Sequence, residues 1–232
     1  MKNKILMKKE INKTERYERK WVFENIDFNQ LCILIHRSKF KFINQFQDRN
    51  VNSIYFDDSN YSSIRQNIEG FSSKKKYRLR WYGNMKKINN PIFEIKEKKG
   101  FIVKKTNQQI KELDNLKLLN YDSLNKIESL LNNKFNLKNK IQPILTTHYL
   151  RGYFISSNKI IRATLDKNLK SLPLYRHGNI SIIKEFKEII LEIKYDIDLD
   201  IHVRENLKDI TSRLSKNSKF VNSATMNAFS YM

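Results

Sequence analysis

The sequence predicts an α+β protein in which an antiparallel β-sheet closes into a tunnel lined by basic residues, with helices packed outside it. The clearest sign is the stretch 74–82, KKKYRLRWY, in which basic residues alternate with apolar ones: Lys76, Arg78 and Arg80 with Tyr77, Leu79 and Trp81. Successive side chains of a strand point to opposite faces, so this strand has one cationic and one apolar face. At least five further stretches alternate in the same way. Several cationic faces around one closed sheet would form a pocket for a polyanion.

The charge balance limits the functions to be considered. The chain has 232 residues, of which 45 are Lys or Arg and 24 are Asp or Glu, giving a net charge of +21. This excess indicates an anionic partner, which can be nucleic acid, an anionic membrane surface or a phosphate-rich small molecule. Hydrophobic residues make up 40% of the chain, enough for a buried core. We expect residues 1–13 to form a basic leader and residues 14–232 to form one domain.

Cysteine usage predicts a cytoplasmic protein. Cys32 is the one cysteine of the sequence, so an internal disulfide is impossible and a reducing compartment is favoured. No apolar run approaches the roughly 20 residues of a membrane-spanning helix. The first ten residues also lack the apolar core of a signal peptide. We therefore expect no membrane span.

Alternating and β-branched segments predict the strands in order along the chain. They cover residues 16–22, 40–46, 51–57, 74–82, 91–98, 101–106, 144–155, 159–168 and 187–196. Lys99 and Gly100 form the expected tight turn of a hairpin between two of them. Hairpins and one-sided alternation predict that the sheet is antiparallel.

Apolar residues at helical spacing predict the helices between these strands. Asp27 is the expected N-cap of a helix over 28–38, and Gly70 is expected to close a helix over 60–69. Leucines three and four residues apart predict a helix over 109–133 that is broken near Asn120. Two more helices are expected, one over 198–211 and one that opens at LSKNSKF, residues 214–220.

Several common kinds of catalytic site are not indicated by the sequence. Its five glycines supply no phosphate-binding loop, its four histidines lack metal-ligand spacing, and no Ser-His-Asp or Cys-His pattern is suggested. What remains are polar pairs two residues apart, namely Glu18 with Lys20, Arg78 with Arg80, Glu94 with Lys96, and Glu192 with Lys194. On one strand, such a pair is typical of a solvated, salt-bridged face. Repeated on six strands, the pattern favours a lined cavity.

Seven short stretches follow the order in which they occur in the VTC domain: RYERKW, the Arg-X-Arg of YRLRWY, FEIKEKKG, HYLRGYF, IRATLD, LEIKYD and KNSKF. Over about residues 14–221 the chain thus resembles the catalytic domain of vacuolar transporter chaperone polyphosphate polymerases and their bacterial relatives. These belong to the triphosphate tunnel metalloenzyme superfamily. The resemblance implies a β-tunnel that transfers the γ-phosphate of ATP to a growing polyphosphate chain with Mn²⁺ or Mg²⁺.

The resemblance also implies roles for individual residues. Catalytic roles are implied for Lys20, Arg78, Arg80 and Lys96. Substrate binding is implied for Lys105, Arg151, Arg162, Lys216, Ser218 and Lys219, and metal binding for Glu192. Lys104 competes with Lys105 for the basic position on the strand after Lys96; we favour Lys105, but the hairpin length leaves both open. Glu18 and Glu94 are expected to be lysine partners.

The first strand departs from the pattern of the hydrolytic relatives. Those enzymes carry Glu-X-Glu-X-Lys, whereas this chain has Arg16, Glu18 and Lys20. The arginine favours a polymerase, and a triphosphate hydrolase is the alternative within the superfamily. A nucleic-acid or polyanion-binding module without turnover is an alternative from another class. The expected partners are ATP and polyphosphate, with no stable nucleic-acid partner, and a separate membrane protein would be required to export the product.

Overall fold

A nine-stranded antiparallel sheet is the frame of the part of the chain that the structure describes. This computed structural model describes residues 16–100, 102–117, 121–174, 183–208, 210, 214–215 and 217–228. The strands are β1 (Arg16–Phe23), β2 (Ile43–Asp57), β3 (Ser73–Tyr82), β4 (Ile92–Lys99), β5 (Ile102–Gln109), β6 (Gln142–Ile155), β7 (Arg162–Pro173), β8 (Lys184–Phe186) and β9 (Ile189–Asp196). Their spatial order is β1-β9-β7-β6-β2-β3-β4-β5, with β8 paired to β7. The predicted leader, residues 1–13, lies outside the described residues.

Five α-helices accompany the sheet in the described residues. They are α1 (Phe28–Arg37), α2 (Ser62–Ile68), α3 (Tyr121–Phe135), α4 (Asp200–Leu207) and α5 (Lys219–Ala228). The Asp27 carboxylate accepts hydrogen bonds from the first backbone amides of α1, and Gln30 completes the capping box, as the sequence predicted for the start of this helix. Gly70 follows α2 with a φ of 76°, a conformation that glycine adopts without strain. No helix among the described residues is long and apolar enough to cross a membrane.

The sheet curls so that its first and last strands approach each other. In the described residues, β1 and β5 are the two ends of the strand order and share no backbone pairing. The ammonium group of Lys96 on β4 nevertheless lies 4.0 Å from the carboxylate of Glu18 on β1. Side chains therefore meet across the concave face. The predicted α+β fold with an antiparallel curled sheet is confirmed. Full closure of the sheet was also predicted, but in the described residues the sheet forms a half-barrel whose edges are bridged by side chains.

Helices cover the convex face with two apolar clusters. Leu79 and Trp81 of β3 are buried beneath α3, where they pack with Ile127 and Leu131. A second cluster joins α1 and α4 to β1, β7 and β9 through residues such as Trp21. Burial of these side chains anchors each strand from behind, so the alternate side chains point to the concave face.

Helix α5 packs against the concave face instead. Its Phe220 stacks on Tyr55 of β2, with ring centroids 5.0 Å apart and planes at 23°. The neighbours of Tyr55 along the strand, Ile54 and Phe56, belong to the cluster beneath α3 on the convex face. Stacking on Tyr55 thus holds the start of α5, with Ser218 and Lys219, against the concave face of the sheet.

Three predicted elements differ in the structure. The two strands predicted over 40–46 and 51–57 are one strand, β2, whose ladder with β6 has register shifts near Phe46. The predicted helix is wrong over 109–117, where β5 runs to Gln109 and a 3₁₀ turn over Lys111–Leu113 follows; residues 118–120 lie outside the described residues. Ile110 and Leu113 are fully buried, so this turn satisfies the apolar spacing that suggested a helix. The short strand β8 was not predicted.

Candidate active site

Cationic side chains of the sheet converge on its concave face. On β3, Arg78 and Arg80 bind a carboxylate on that face, whereas Leu79 and Trp81 are buried on the other face. The same alternation along the other strands adds further Lys and Arg side chains. Within the described residues they gather into three groups, each organised by carboxylates.

The first group surrounds Glu94 on β4. Arg78 lies opposite Glu94 in the β3–β4 ladder and donates from Nε to its carboxylate at 2.8 Å. Arg80 lies 2.9 Å and Lys105 of β5 lies 3.5 Å from the same carboxylate. Burial opposes ionisation of Glu94, but these cations outweigh it and hold the pKa of Glu94 below its ordinary value. The contact places Lys105 on the concave face, so Lys104 lies on the alternate face of the strand.

Asp166 on β7 organises the second group. Its buried carboxylate accepts hydrogen bonds from Arg151 of β6 at 2.6 and 2.7 Å and from Lys219 of α5 at 2.5 Å. The Lys219 ammonium also lies 4.8 Å from the centre of the Tyr149 ring. Burial opposes the charge on Asp166, but Lys219 and Arg151 hold its pKa below the ordinary value. Asp166 therefore fixes one cation from the sheet and one from α5 side by side.

Glu18, Glu192, Lys20 and Lys194 form the third group. In the β1–β9 ladder Glu18 lies opposite Lys194, and Lys20 lies opposite Glu192. The Lys20 ammonium is 3.2 Å from Glu18 and 3.4 Å from Glu192, and that of Lys194 is 3.8 Å and 2.7 Å from the same two carboxylates. Glu192 is only 6% exposed. Burial opposes its ionisation, but Lys194 and Lys20 hold its pKa well below the usual range.

Lys76 lies between these groups without a carboxylate at ion-pair distance in the described part of the chain. Its ammonium donates to Ser218 Oγ at 3.0 Å. Burial, together with the nearby Lys96 and Lys20, lowers the pKa of Lys76 to about 7. No role was predicted for Lys76 from the sequence, although its position two residues before Arg78 places both side chains on the same face of β3. Lys76 is the concave-face lysine that most needs an anion.

Several buried polar atoms on the concave face have no hydrogen-bond partner in the described residues. They are Arg80 Nε, Ser53 Oγ, Thr147 Oγ1 and Thr164 Oγ1. Ser53 is the ladder neighbour of both Arg80 and Thr147, and Thr164 is that of Glu192. Buried polar groups normally have a partner. These four atoms are therefore available to water or to a polar ligand at this face.

The structure brings together most residues for which the sequence predicted a role. The three groups and their contacts include Lys20, Arg78, Arg80, Lys96, Lys105, Arg151, Glu192, Ser218 and Lys219. Arg162 is the ladder neighbour of Lys194, but its side chain is exposed at the first residue of β7. Lys216 lies outside the described residues. The catalytic and binding roles of all these residues stay predictions.

The binding partners of two carboxylates, Glu94 and Asp166, were not predicted from the sequence. Glu94 was expected to be a lysine partner, whereas it binds two arginines as well as Lys105. Asp166 was given no role, although it lies four residues after Arg162 and alternation therefore places the two on one face. Cross-strand partners depend on register, and no pattern within one strand reveals it.

The donors at Glu18 and Glu192 suit a hard divalent cation. Such a cation is held in phosphate-transferring sites by one or two carboxylates together with substrate phosphates. Glu18 and Glu192 share both lysine partners and repel each other electrostatically, so they lie close together. The described residues contain no group of three or more Asp, Glu, His or Cys able to hold a metal ion. A bound cation would therefore take its other ligands from phosphate and water.

The concave face as a whole carries an excess of positive charge. Within the described residues, eight cationic side chains pair with four carboxylates, Glu18, Glu94, Asp166 and Glu192, and Lys76 lies among them as a ninth cation; the eight are Lys20, Arg78, Arg80, Lys96, Lys105, Arg151, Lys194 and Lys219. Some of these cations are buried and others are about half exposed, and such an excess on a concave face favours anionic ligands. Arginines held by carboxylates are also preorganised for bidentate binding of phosphate.

Two solved structures are similar to this chain. One is a candidate adenylate cyclase from Bacillus halodurans, with 16% identity, 87% of this chain and 93% of that chain covered, and a TM-score of 0.50. The other is a candidate adenylate cyclase from Vibrio parahaemolyticus, with 13% identity, 83% of each chain covered and a TM-score of 0.43. The first likeness shows a shared fold. A search of curated protein sequences finds no match.

The curled antiparallel sheet with helices on its convex face is the fold that this chain shares with the first of these structures. A model of the VTC domain matches residues 15–227, nearly the whole chain. The chain belongs to the VTC domain family. The resemblance found in seven short sequence stretches is thereby confirmed.

Proposed function

We propose that this protein is an ATP-dependent polyphosphate polymerase, a phosphotransferase that adds the γ-phosphoryl group of ATP to a growing polyphosphate chain. The observation that carries the proposal is the concave face, where nine cations lie among only four carboxylates in the described residues. That excess suits the charge of a triphosphate and of a polyphosphate end held together. Membership of the VTC domain family supports the same activity.

In the proposed reaction, a terminal oxygen of the acceptor chain attacks the γ-phosphorus of ATP. A new P–O bond forms, the bond from the γ-phosphorus to the β,γ-bridging oxygen breaks, and ADP leaves. This chemistry depends on alignment and charge neutralisation, so no protein nucleophile is required. Arg78 and Arg80, held by Glu94, and Arg151, held by Asp166, would bind phosphate oxygens in pairs.

Glu192 would hold Mn²⁺ or Mg²⁺ together with phosphate oxygens, and the ion would supply further charge neutralisation at the reacting phosphates. Lys20 and Lys194 bind the same carboxylate in the structure, at 3.4 Å and 2.7 Å. With Glu192 holding a cation, Lys20 and Lys194 would keep Glu18 as their carboxylate partner and could also contact phosphate. Arg16, where hydrolytic relatives have a glutamate, is paired with Asp196 at an exposed position, which leaves Glu18 as the one carboxylate of that motif.

The concave position of the cations favours a linear polyanion over nucleic acid, because a nucleic-acid duplex would need them on an open surface. We place the reaction in the cytoplasm, where ATP is available and Cys32, a free cysteine in the structure, would stay reduced. A separate membrane protein is the partner that we propose for export of the product.

Incubation of the purified protein with ATP and Mn²⁺ tests this function. A ladder of long phosphate chains on a gel is expected, and the Lys86→Ala variant, altered at an exposed lysine away from the concave face, should give the same ladder. Release of inorganic phosphate without a ladder would identify a triphosphate hydrolase. Binding of triphosphate without either product would identify a binding module.

Triphosphate binding is expected to take up a proton at Lys76. Burial, followed by Lys96, Lys20 and Lys74, destabilises the ammonium and brings its pKa to about 7, although Glu18 favours the charge. A bound triphosphate stabilises the ammonium and raises that pKa. Below pH 7 Lys76 is protonated with or without the ligand, so its ionisation should not change the affinity for triphosphate. Above pH 7 the affinity should fall by up to about tenfold per pH unit, until the pKa of Lys76 in the complex is reached.

Calorimetry with ATP between about pH 7.5 and 9.5 measures this fall. Lys76→Met cannot take up the proton, so the difference between the two proteins removes the titration of ATP and of other lysines. The same pH dependence in both proteins would show that Lys76 does not couple to binding.

A further inference from the structure

Three aromatic rings surround Arg49 beside the cations of the concave face. The Arg49 guanidinium lies 5.3 Å from the ring centre of Phe46 and 5.8 Å from those of Tyr82 and Tyr153. Phe46 and Tyr153 also meet edge to face, with centroids 5.8 Å apart and planes at 82°. We call these four residues the Arg49 cluster.

Strand register places the Arg49 cluster next to the proposed phosphate-binding arginines. Tyr153 follows Arg151 by two residues on β6, so alternation puts both on the concave face. Tyr82 follows Arg80 by two residues on β3, and the Arg80 guanidinium lies 5.3 Å from the centre of its ring. Arg49 is itself the ladder neighbour of Arg151. The Arg80 guanidinium therefore lies against one ring of the cluster, and Arg151 lies two residues from Tyr153 on the same face.

The backbone of β2 is irregular where it presents Phe46. The ladder between β2 and β6 shifts register on both sides of this residue, between Asn44 and Phe46 and again before Arg49. Such bulges re-aim side chains and often lie beside active sites. Phe46 is 50% exposed despite its contacts with Arg49 and Tyr153. Tyr82, by contrast, is packed against a buried cluster with Tyr149 and is held in place.

We propose that the Arg49 cluster is a nucleobase subsite, which binds the adenine of ATP while the arginines bind its phosphates. The proposal rests on the proposed function, because it assigns the nucleoside end of the same substrate. A nucleobase has a flat π-surface that stacks on aromatic rings and on guanidinium groups. A ribose alone separates the base from the first phosphate, which suits subsites on neighbouring positions of one ladder. The cluster would make the protein prefer a nucleoside triphosphate to inorganic tripolyphosphate.

Affinities for ATP and for inorganic tripolyphosphate, measured by calorimetry without metal, test the proposal. Phe46→Ala and Tyr153→Leu are expected to weaken ATP binding about five- to hundredfold, the range for loss of one base–aromatic contact. Tripolyphosphate binding should be unchanged. Ile43→Ala is the matched control, since Ile43 is 52% exposed on the same strand and lies outside the cluster; both affinities should be unchanged.

Equal weakening of both ligands in the Phe46 and Tyr153 variants would overturn the subsite, since it would show a general effect on the site. Unchanged ATP affinity in both variants would overturn it as well. The two proposals fail separately. If no polyphosphate ladder forms but the variants still lose affinity for ATP alone, the polymerase proposal is wrong and the subsite proposal stands. If a ladder forms but the variants show no selective loss of ATP affinity, the subsite proposal is wrong and the polymerase proposal stands.

Discussion

Substitution of Glu192 by Gln is expected to reduce ATP-dependent phosphate transfer at least about a hundredfold while triphosphate still binds. The amide keeps the size of the side chain but removes the charge that a divalent cation requires. In the structure this carboxylate holds Lys20 and Lys194. Its neutralisation releases both ammonium groups to phosphate, so metal-free affinity for tripolyphosphate should stay the same or increase.

Arg78→Ala is the matched comparison, because its defect should appear without metal. Arg80 and Lys105 still neutralise Glu94 in this variant, so the change removes one guanidinium and leaves no bare carboxylate. Loss of its charge-assisted hydrogen bonds should weaken tripolyphosphate binding about ten- to hundredfold. Calorimetry on both variants with and without Mn²⁺ gives the test. If both lose metal-free binding equally, Glu192 only positions lysines, and its metal-binding role is wrong.

Substitution of Asp166 by Asn is expected to lower the free energy of unfolding by about 3–5 kcal/mol. The buried carboxylate binds both Arg151 and Lys219, whose side chains are only 13% and 9% exposed. The amide leaves two cations side by side without a counter-charge. Because tripolyphosphate supplies the missing negative charge, it should raise the melting temperature more in the variant than in the unmodified protein.

Glu185→Gln provides the control for this measurement. Glu185 also pairs with a lysine, Lys170, at 2.5 Å, but both side chains are largely exposed. Exposed pairs contribute about 0–1 kcal/mol, so the control should unfold close to the unmodified protein. Equal destabilisation of the two variants in chemical denaturation would show that Asp166 is not the buried anchor of the second group.

The strands and the face that carries the site were predictable from the sequence because alternation is a local property. Arg78 and Arg80 share one face of β3, and Leu79 and Trp81 are buried on the other, as the stretch 74–82 indicates. The capped start of the first helix at Asp27 was predictable for the same reason. Each of these features is decided within one strand or one helical turn.

The partners of the charged residues were not predictable, because they depend on how distant strands align. Glu94 binds Arg78 and Arg80 since β3 and β4 pair in one particular register. Asp166 binds Lys219 across 53 residues of sequence, through a helix that docks on the sheet. The surroundings of Lys76 depend on distant segments in the same way. Besides burial, lysines on two other strands lower its pKa, and its hydrogen-bond partner Ser218 is 142 residues away in the sequence.

The site also has an order of completion during protein synthesis. Strand β1 must wait for β9 before Glu18 has its ladder partner Lys194, and Lys76 must wait for Ser218 at the start of α5. The amino end of the chain leaves the ribosome first, so the basic strands emerge before these late segments. A nascent chain is therefore a polycation without a finished binding site. Activity should therefore appear only after the segment that carries Ser218 and Lys219 has emerged from the ribosome.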